Sequence, residues 1–158
     1  MPLIHLTTFI AAPVDRVFDL SRSIEMQKHT MKKFEEKPVA GRISGLMQPG
    51  DKITWRGKHL LKRRVWINSI AALEKPFTFI YEQIHGDFKQ MKHELFFKEC
   101  SNGTLLIDQF SFECSYGRLG EWFTNLYLTK YINSLLEQRN ETIKRVAESN
   151  QWKHFLIV

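Results

Sequence analysis

The feature that most constrains this chain is a change of period part-way along it. Between Lys33 and Cys114, turn chemistry interrupts the sequence at Gly41, Gly45, Pro49-Gly50-Asp51, Leu60 to Lys62, Glu74-Lys75-Pro76, His85-Gly86-Asp87 and Ser101-Asn102-Gly103. The runs between these breaks have strand length, which predicts a meander of six strands joined by hairpin-length loops. After Gly117 the apolar spacing turns helical. Leu119, Trp122, Phe123 and Leu126, then Leu128, Tyr131, Ile132, Leu135, Leu136, Ile143 and Val146, predict one helix over 119–148. Its length at helical rise is about 45 Å. Glu137, Arg139, Glu141, Lys144 and Arg145 in its later half read as water-facing.

Upstream, Leu3 to Ile10 reads as a strand that stops at Ala11-Ala12-Pro13, with Pro13 placed as the first residue of a helix. Val14, Val17 and Phe18 form that helix's apolar stripe. Ser21 or Ser23 caps a second short helix carrying Ile24, Met26, Gln27, His29 and Thr30. No repeat, low-complexity segment or linker divides the 158 residues, so one domain over 1–158 is expected. The fold class is α+β: a curved seven-stranded antiparallel sheet wrapped around the long C-terminal helix, with two short helices after strand 1. The sheet must bury its apolar face, and the terminal helix is the element long enough to cover it. A bent sheet gripping a helix leaves space between them.

The stretch Gly50 to Leu60, GDKITWRGKHL, makes that space the central question. Alternation sends Lys52, Thr54, Arg56 and Lys58 to solvent, and Ile53, Trp55, Gly57 and His59 inward. An indole, a gap and an imidazole suit the wall of a cavity better than a solid core. An aromatic content of 13 %, with 12 Phe and 4 Trp, fits a large lined interior.

The hairpin closed by Ser101-Asn102-Gly103 fixes its own register. If Glu99 pairs with Thr104, then Phe97 faces Leu106, Leu95 faces Asp108, His93 faces Phe110 and Met91 faces Phe112. All eight of those side chains fall on one face, and six are apolar. The two polar members, His93 and Asp108, become diagonal neighbours on the buried side. A carboxylate beside an imidazole favours the imidazolium and holds the ring's orientation. Two roles are open: a satisfied polar pair tying the sheet together, or a polar anchor in an otherwise apolar site. His59 lies on another inward face, and His29 lies on the short helix that could close the cavity. Whether Tyr81 or Glu82 points inward is left open. No helical His-x-x-x-His pair, nucleophile motif or phosphate-cradling loop is present, and no metal or cofactor is implied.

The order of elements resembles the helix-grip fold of the START-like superfamily, which includes birch-pollen-allergen-like proteins, polyketide cyclases and lipid-transfer domains. The residues resemble its bacterial polyketide cyclase/dehydrase-like branch, SRPBCC. The matching pieces are Ser44-Gly45-Leu46, Gly50-Asp51, Thr54-Trp55, His59, Pro76, Gly86-x-Phe88, His93, Gly103-Thr104, Asp108 and Gly117-x-Leu119-Gly120. Leu61, where the pattern has glycine, and Ser115, where it has proline, depart from it. The resemblance implies an internal cavity partly walled by the first turns of the last helix, so that Trp122, Phe123 and Leu126 touch ligand. With the inward residues, the expected ligand set is Met26, His29, Trp55, His59, Tyr81, Met91, His93, Leu95, Asp108, Phe110, Trp122, Phe123 and Leu126. Catalytic residues differ among the family's enzymes, so none transfers by position.

Three functions are therefore weighed. The first is binding or carriage of a hydrophobic small molecule, such as a lipid, isoprenoid or polyketide-like compound. The second is a cyclase or dehydratase using His93 as general acid–base, oriented by Asp108 and partnered by His59 or Tyr81. The third, motivated by a net charge of +6, is an anionic polymer or membrane-surface binder. Nucleic acid ranks below the small molecule because the basic residues are scattered. Cys100 at its turn and Cys114 about 33 Å along the next strand are too far apart for a disulfide. That fits a reducing compartment, and the alternating N-terminus lacks a signal peptide's basic n-region, so the expected location is cytoplasmic, with no membrane-spanning segment. The apolar ending Phe155 to Val158 is expected to pack on the body or on a second subunit of a homodimer.

Overall fold

The computed structural model describes residues 2–114 and 118–156, the stretch 118–124 by its backbone alone. Strand β1 (Leu3–Ile10) leads into α1 (Val14–Ser21) and α2 (Ile24–Thr30), followed by a short 3-10 turn, Lys32–Phe34. Six strands follow: β2 (Lys37–Gly41), β3 (Lys52–His59), β4 (Lys62–Glu74), β5 (Thr78–His85), β6 (Phe88–Cys100) and β7 (Gly103–Cys114). Helix α3 (Arg118–Ala147) and a terminal turn of helix, α4 (Trp152–Leu156), complete the chain. The seven strands form one antiparallel sheet in the order β1-β7-β6-β5-β4-β3-β2. Each hairpin partner is thus a spatial neighbour, and β1 closes the far edge by pairing with β7. Among the described residues no helix is long and apolar enough to cross a membrane.

The β6–β7 register is the one that alternation predicts: Glu99 opposes Thr104, Leu95 opposes Asp108 and His93 opposes Phe110. Cys100 pairs with Gly103 at the turn while Cys114 stands at the far end of β7, so no disulfide joins them. Ser23 caps α2, its hydroxyl accepting from the Met26 amide at 3.1 Å, whereas Ser21 turns back to the Val17 carbonyl. Pro13 stands one residue outside α1, in extended conformation, and the helix begins at Val14. Lys33 also differs from expectation. It lies in the 3-10 turn, the chain reverses at Glu35 with φ 54°, and strand structure starts only at Lys37.

Two packed regions hold the helices to the sheet. One gathers Val17, Phe18, Leu20, Ile24 and Met26 of the short helices against Ile53, Phe79, Leu95, Leu106 and the end of α3 at Ile143, Val146 and Ala147. The other joins Met91, Phe110 and Phe112 of β6 and β7 to Ile132 and Leu136 of α3. Trp152, Phe155 and Leu156 of α4 pack on the first region, and the Arg16 guanidinium lies 4.2 Å over the Trp152 ring. The described part of the terminus therefore covers the body of its own chain. Residues 157 and 158, which belonged to the same expectation, lie outside the described residues, as does Ser115.

Candidate functional site

Between these two regions the sheet and α3 stand apart, leaving a cavity of about 640 Å³. Tyr127, Leu128, Tyr131, Ile132, Leu135, Leu136 and Arg139 of α3 form one side of it. The sheet contributes His59, Arg64, Trp66, Asn68, Tyr81, Gln83, Phe88, Met91, Phe110 and Cys114, and Gln27, Met31 and Glu36 close a third side. Tyr127, 62 % exposed, and Asp87 place one end of the cavity at the surface. A smaller void of about 30 Å³ beside it touches Trp55, Trp66, Asn68, Ile70, Phe79, Tyr81 and Arg139.

The inward face of β3 now has a physical account. Ile53 and Trp55 join the packed core, and His59 reaches the cavity. Gly57 between them is a gap because something fills it. A Cβ there would lie 2.8 Å from Glu36 Cγ and 3.0 Å from Trp66 Cη2. Glu36 enters over the glycine and sets one oxygen 2.6 Å from His59 Nε2, while Gln27 donates to its other oxygen at 3.2 Å. His59 Nδ1 meets the Tyr131 hydroxyl at 2.8 Å, and Phe34 stacks on the imidazole at 4.8 Å. The Tyr131 hydroxyl is raised in pKa, first by burial and then by Glu36, and the Leu60 backbone also hydrogen-bonds it.

A second chain of the same composition lies deeper. His93 and Asp108 are both fully buried, with Nε2 to Oδ1 at 2.7 Å. His93 Nδ1 is 2.6 Å from the Tyr81 hydroxyl, which resolves the facing of β5: Tyr81 points inward and Glu82 is exposed. Asn140 donates to Asp108 Oδ2 at 2.6 Å and to Thr8 at 3.1 Å. Arg139 lies 3.9 Å from Asp108 Oδ1 and donates to the Ser21 carbonyl and the Asn140 side chain. Burial is the largest influence on His93 and lowers its pKa, outweighing the hydrogen bond and charge of Asp108; Arg139 pushes the same way. The imidazole is therefore neutral at pH 7, not the imidazolium expected from its carboxylate neighbour. Burial also pushes Asp108 upward, but His93, Arg139 and Asn140 together hold it below the ordinary carboxylate range. The Tyr81 phenol is raised by burial, with Arg139 opposing.

Of the residues expected at a ligand, His59, Tyr81, Met91 and Phe110 line the cavity. His93 and Asp108 stand one layer behind it and connect to it through Tyr81. Met26, Trp55 and Leu95 belong to the packed core instead. The cavity face of α2 runs through Gln27 and on to Met31, about 100° of helix rotation away from Met26. His29 is exposed and meets Phe155 of α4 at 5.3 Å, so it lies outside the cavity. Leu126 is exposed and off the wall. The side chains of Trp122 and Phe123 lie outside the described residues. Arg139, expected in water, is 4 % exposed, and Glu36 and Asn140 are buried as well. Helical spacing carried a signal for Arg139, because 132, 136, 139 and 143 share a face. Glu36, inside the charged run Glu35-Glu36-Lys37, carried none.

The comparisons with known proteins rest on architecture. No protein-family model and no curated protein matches the chain. Among solved structures it superposes on a START superfamily protein from Mycobacterium smegmatis with a TM-score of 0.71 at 13 % identity, covering 92 % of this chain and 97 % of that one. The fold is START-like. It also superposes on Ara h 8.0201, with a TM-score of 0.68 at 12 % identity over 92 % of this chain and 97 % of that one. The di-domain ARO/CYC StfQ from the steffimycin biosynthetic pathway gives 0.76 at 12 % identity, with 92 % of this chain matching 50 % of that one. The START-like arrangement of sheet and helix agrees with the expectation from the order of elements.

Proposed function

We propose that the chain is one ligand-binding domain that holds a hydrophobic small molecule, of lipid, isoprenoid or polyketide-like character, between the sheet and α3. The observation that carries this reading is the 640 Å³ cavity, walled by Met31, Trp66, Met91, Phe110, Leu128, Ile132 and Leu135 around a few fixed polar groups. That volume and that mixture suit a small-molecule site. The structural likeness to a START superfamily protein adds weight to this reading. In a thermal-shift panel of lipophilic compounds, a ligand present at a hundred times its Kd adds about 2.7 kcal/mol. For a chain of this size that corresponds to a Tm rise of about 5–10 °C. Native mass spectrometry of the same samples should find a one-to-one complex. A panel with no shift and no complex overturns the reading.

A second reading, acid–base catalysis on an enolisable substrate, is favoured by the Asp108–His93–Tyr81 chain. In it Tyr81 meets the substrate and His93 acts through it, because His93 does not reach the cavity wall. Turnover that survives both Tyr81→Phe and His93→Gln excludes it.

A further inference from the structure

The β3–β4 hairpin turns on two residues, Leu60 and Leu61, between the paired His59 and Lys62. Both are left-handed, at φ 54° and 64°. A two-residue hairpin demands that conformation, and asparagine and glycine are the residues that favour it. Leu60 has a use for its side chain, which is half-buried on the cavity wall. Leu61 has none inside the protein. It is 96 % exposed, against 62 % for Leu3 and Tyr127, the next most exposed large apolar side chains among the described residues. A branched side chain held where glycine would be relaxed, with nothing packed on it, calls for a contact outside the chain.

The neighbours of Leu61 define that contact. Lys58 and Arg63 oppose each other directly across the hairpin, and both are exposed. Like charges at that spacing repel. Lys62 opposes His59 on the other face, so cations flank Leu61 on both sides. Among the described residues none of the three forms an ion pair. Nearby acids are engaged elsewhere, Asp87 with Arg64, and Glu36 with His59 and Gln27. The 3-10 turn beside the hairpin adds Lys33, whose ammonium lies 5.8 Å over the Phe34 ring that itself stacks on His59. Glu35, exposed at the end of that turn, offsets one charge. Basic residues from two separate stretches of sequence thus meet at one end of the sheet.

An apolar tip ringed by unpaired cations matches an anionic lipid surface, where the cations meet headgroups and the leucine enters the acyl boundary. Nucleic acid would use the cations and leave the leucine in water. A protein partner fits less well, because lysine is depleted from such interfaces and a two-residue tip offers little of the packed area they need.

We propose that the β3–β4 hairpin docks the protein on anionic membranes, with Leu61 inserted and Lys58, Lys62 and Arg63 on the headgroups. Leu60 and Arg64 of the same hairpin line the cavity, and Tyr127 and Asp87 mark its open end, so docking brings that opening to the bilayer. The docking itself does not depend on the reading of the cavity, and it is tested without a cavity ligand.

The test is flotation of the full chain with large unilamellar vesicles of phosphatidylcholine, alone or mixed with phosphatidylglycerol. The protein should float with the mixed vesicles at low salt, stay behind with phosphatidylcholine alone, and be released as salt rises. Leu61→Gly should weaken the partition about tenfold or more, the loss of one buried leucine. Its Tm should not fall, because the change relaxes the turn and removes almost no packing. Lys58→Gln combined with Arg63→Gln should weaken the partition about fivefold for each cation removed. Equal binding of both vesicle types, or binding of neither, overturns the proposal. Partition undiminished in folded Leu61→Gly overturns the placement of the tip. Single-stranded RNA that binds at physiological salt where the mixed vesicles do not identifies a polymer site and overturns the proposal as well. Each of these outcomes leaves the thermal-shift test of the cavity untouched.

Discussion

The buried imidazole of His93 should make the protein acid-sensitive in a window where its carboxylates are silent. Its pKa is lowered in the folded state, so as pH falls through about 6.5 the unfolded chain takes up a proton that the folded chain refuses. Stability is then complete above that pH and declines below it, with a slope that approaches about 1.4 kcal/mol per pH unit. The loss between pH 7.5 and 5.5 has an upper limit of about 1.4 kcal/mol, reached when the folded imidazole takes up no proton across that range. Urea unfolding at the two pH values, for the native chain and for His93→Gln, isolates this contribution, because the remaining histidines cancel in the difference. Asp108 stays outside the window in the variant, since Asn140 and Arg139 still hold its carboxylate. The native chain should lose more than His93→Gln on acidification, by up to about 1.4 kcal/mol. Equal losses would refute the neutral, buried imidazole.

Three further outcomes are expected from chemical unfolding. Asp108→Ala strands the Arg139 cation, the Asn140 amide and the His93 Nε2–H in the interior, and should cost about 3–5 kcal/mol. Leu61→Gly should stabilise by about 1 kcal/mol, because residue 61 is left-handed at φ 64° and its side chain, 96 % exposed, gives up almost no packing. Gly57→Ala should cost about 1–3 kcal/mol by driving a methyl into Glu36 and Trp66, and NMR of His59 should report the loss of its carboxylate neighbour.

Much of the architecture was legible because each strand is bounded by its own turn chemistry. The Asn102-Gly103 turn and the alternation from Met91 to Phe112 determined a register that placed His93 next to Asp108. The location of the hollow was less legible. It depends on which half of α3 touches the sheet, and the apolar stripe runs through both halves without distinguishing them. Met26, Trp55 and Leu95 read as wall residues because inward facing is a property of strand and helix phase. Whether an inward side chain meets another side chain or empty space is decided by tertiary packing. Glu36 shows the limit most plainly. Its burial depends on the Gly57 gap, in a strand that pairs with β2 just after it, and no local pattern couples the two.

The central claim is that ligand enters the space beside α3 and no other part of the molecule, and methionine methyl groups report on it directly. Met31 and Met91 line the cavity while Met26 lies in the packed core. In a titration of ¹³C-methyl-methionine-labelled protein with 2-naphthol, the Met31 and Met91 signals should move to saturation and Met26 should stay in place. Saturable binding that leaves Met31 and Met91 unmoved would contradict the account.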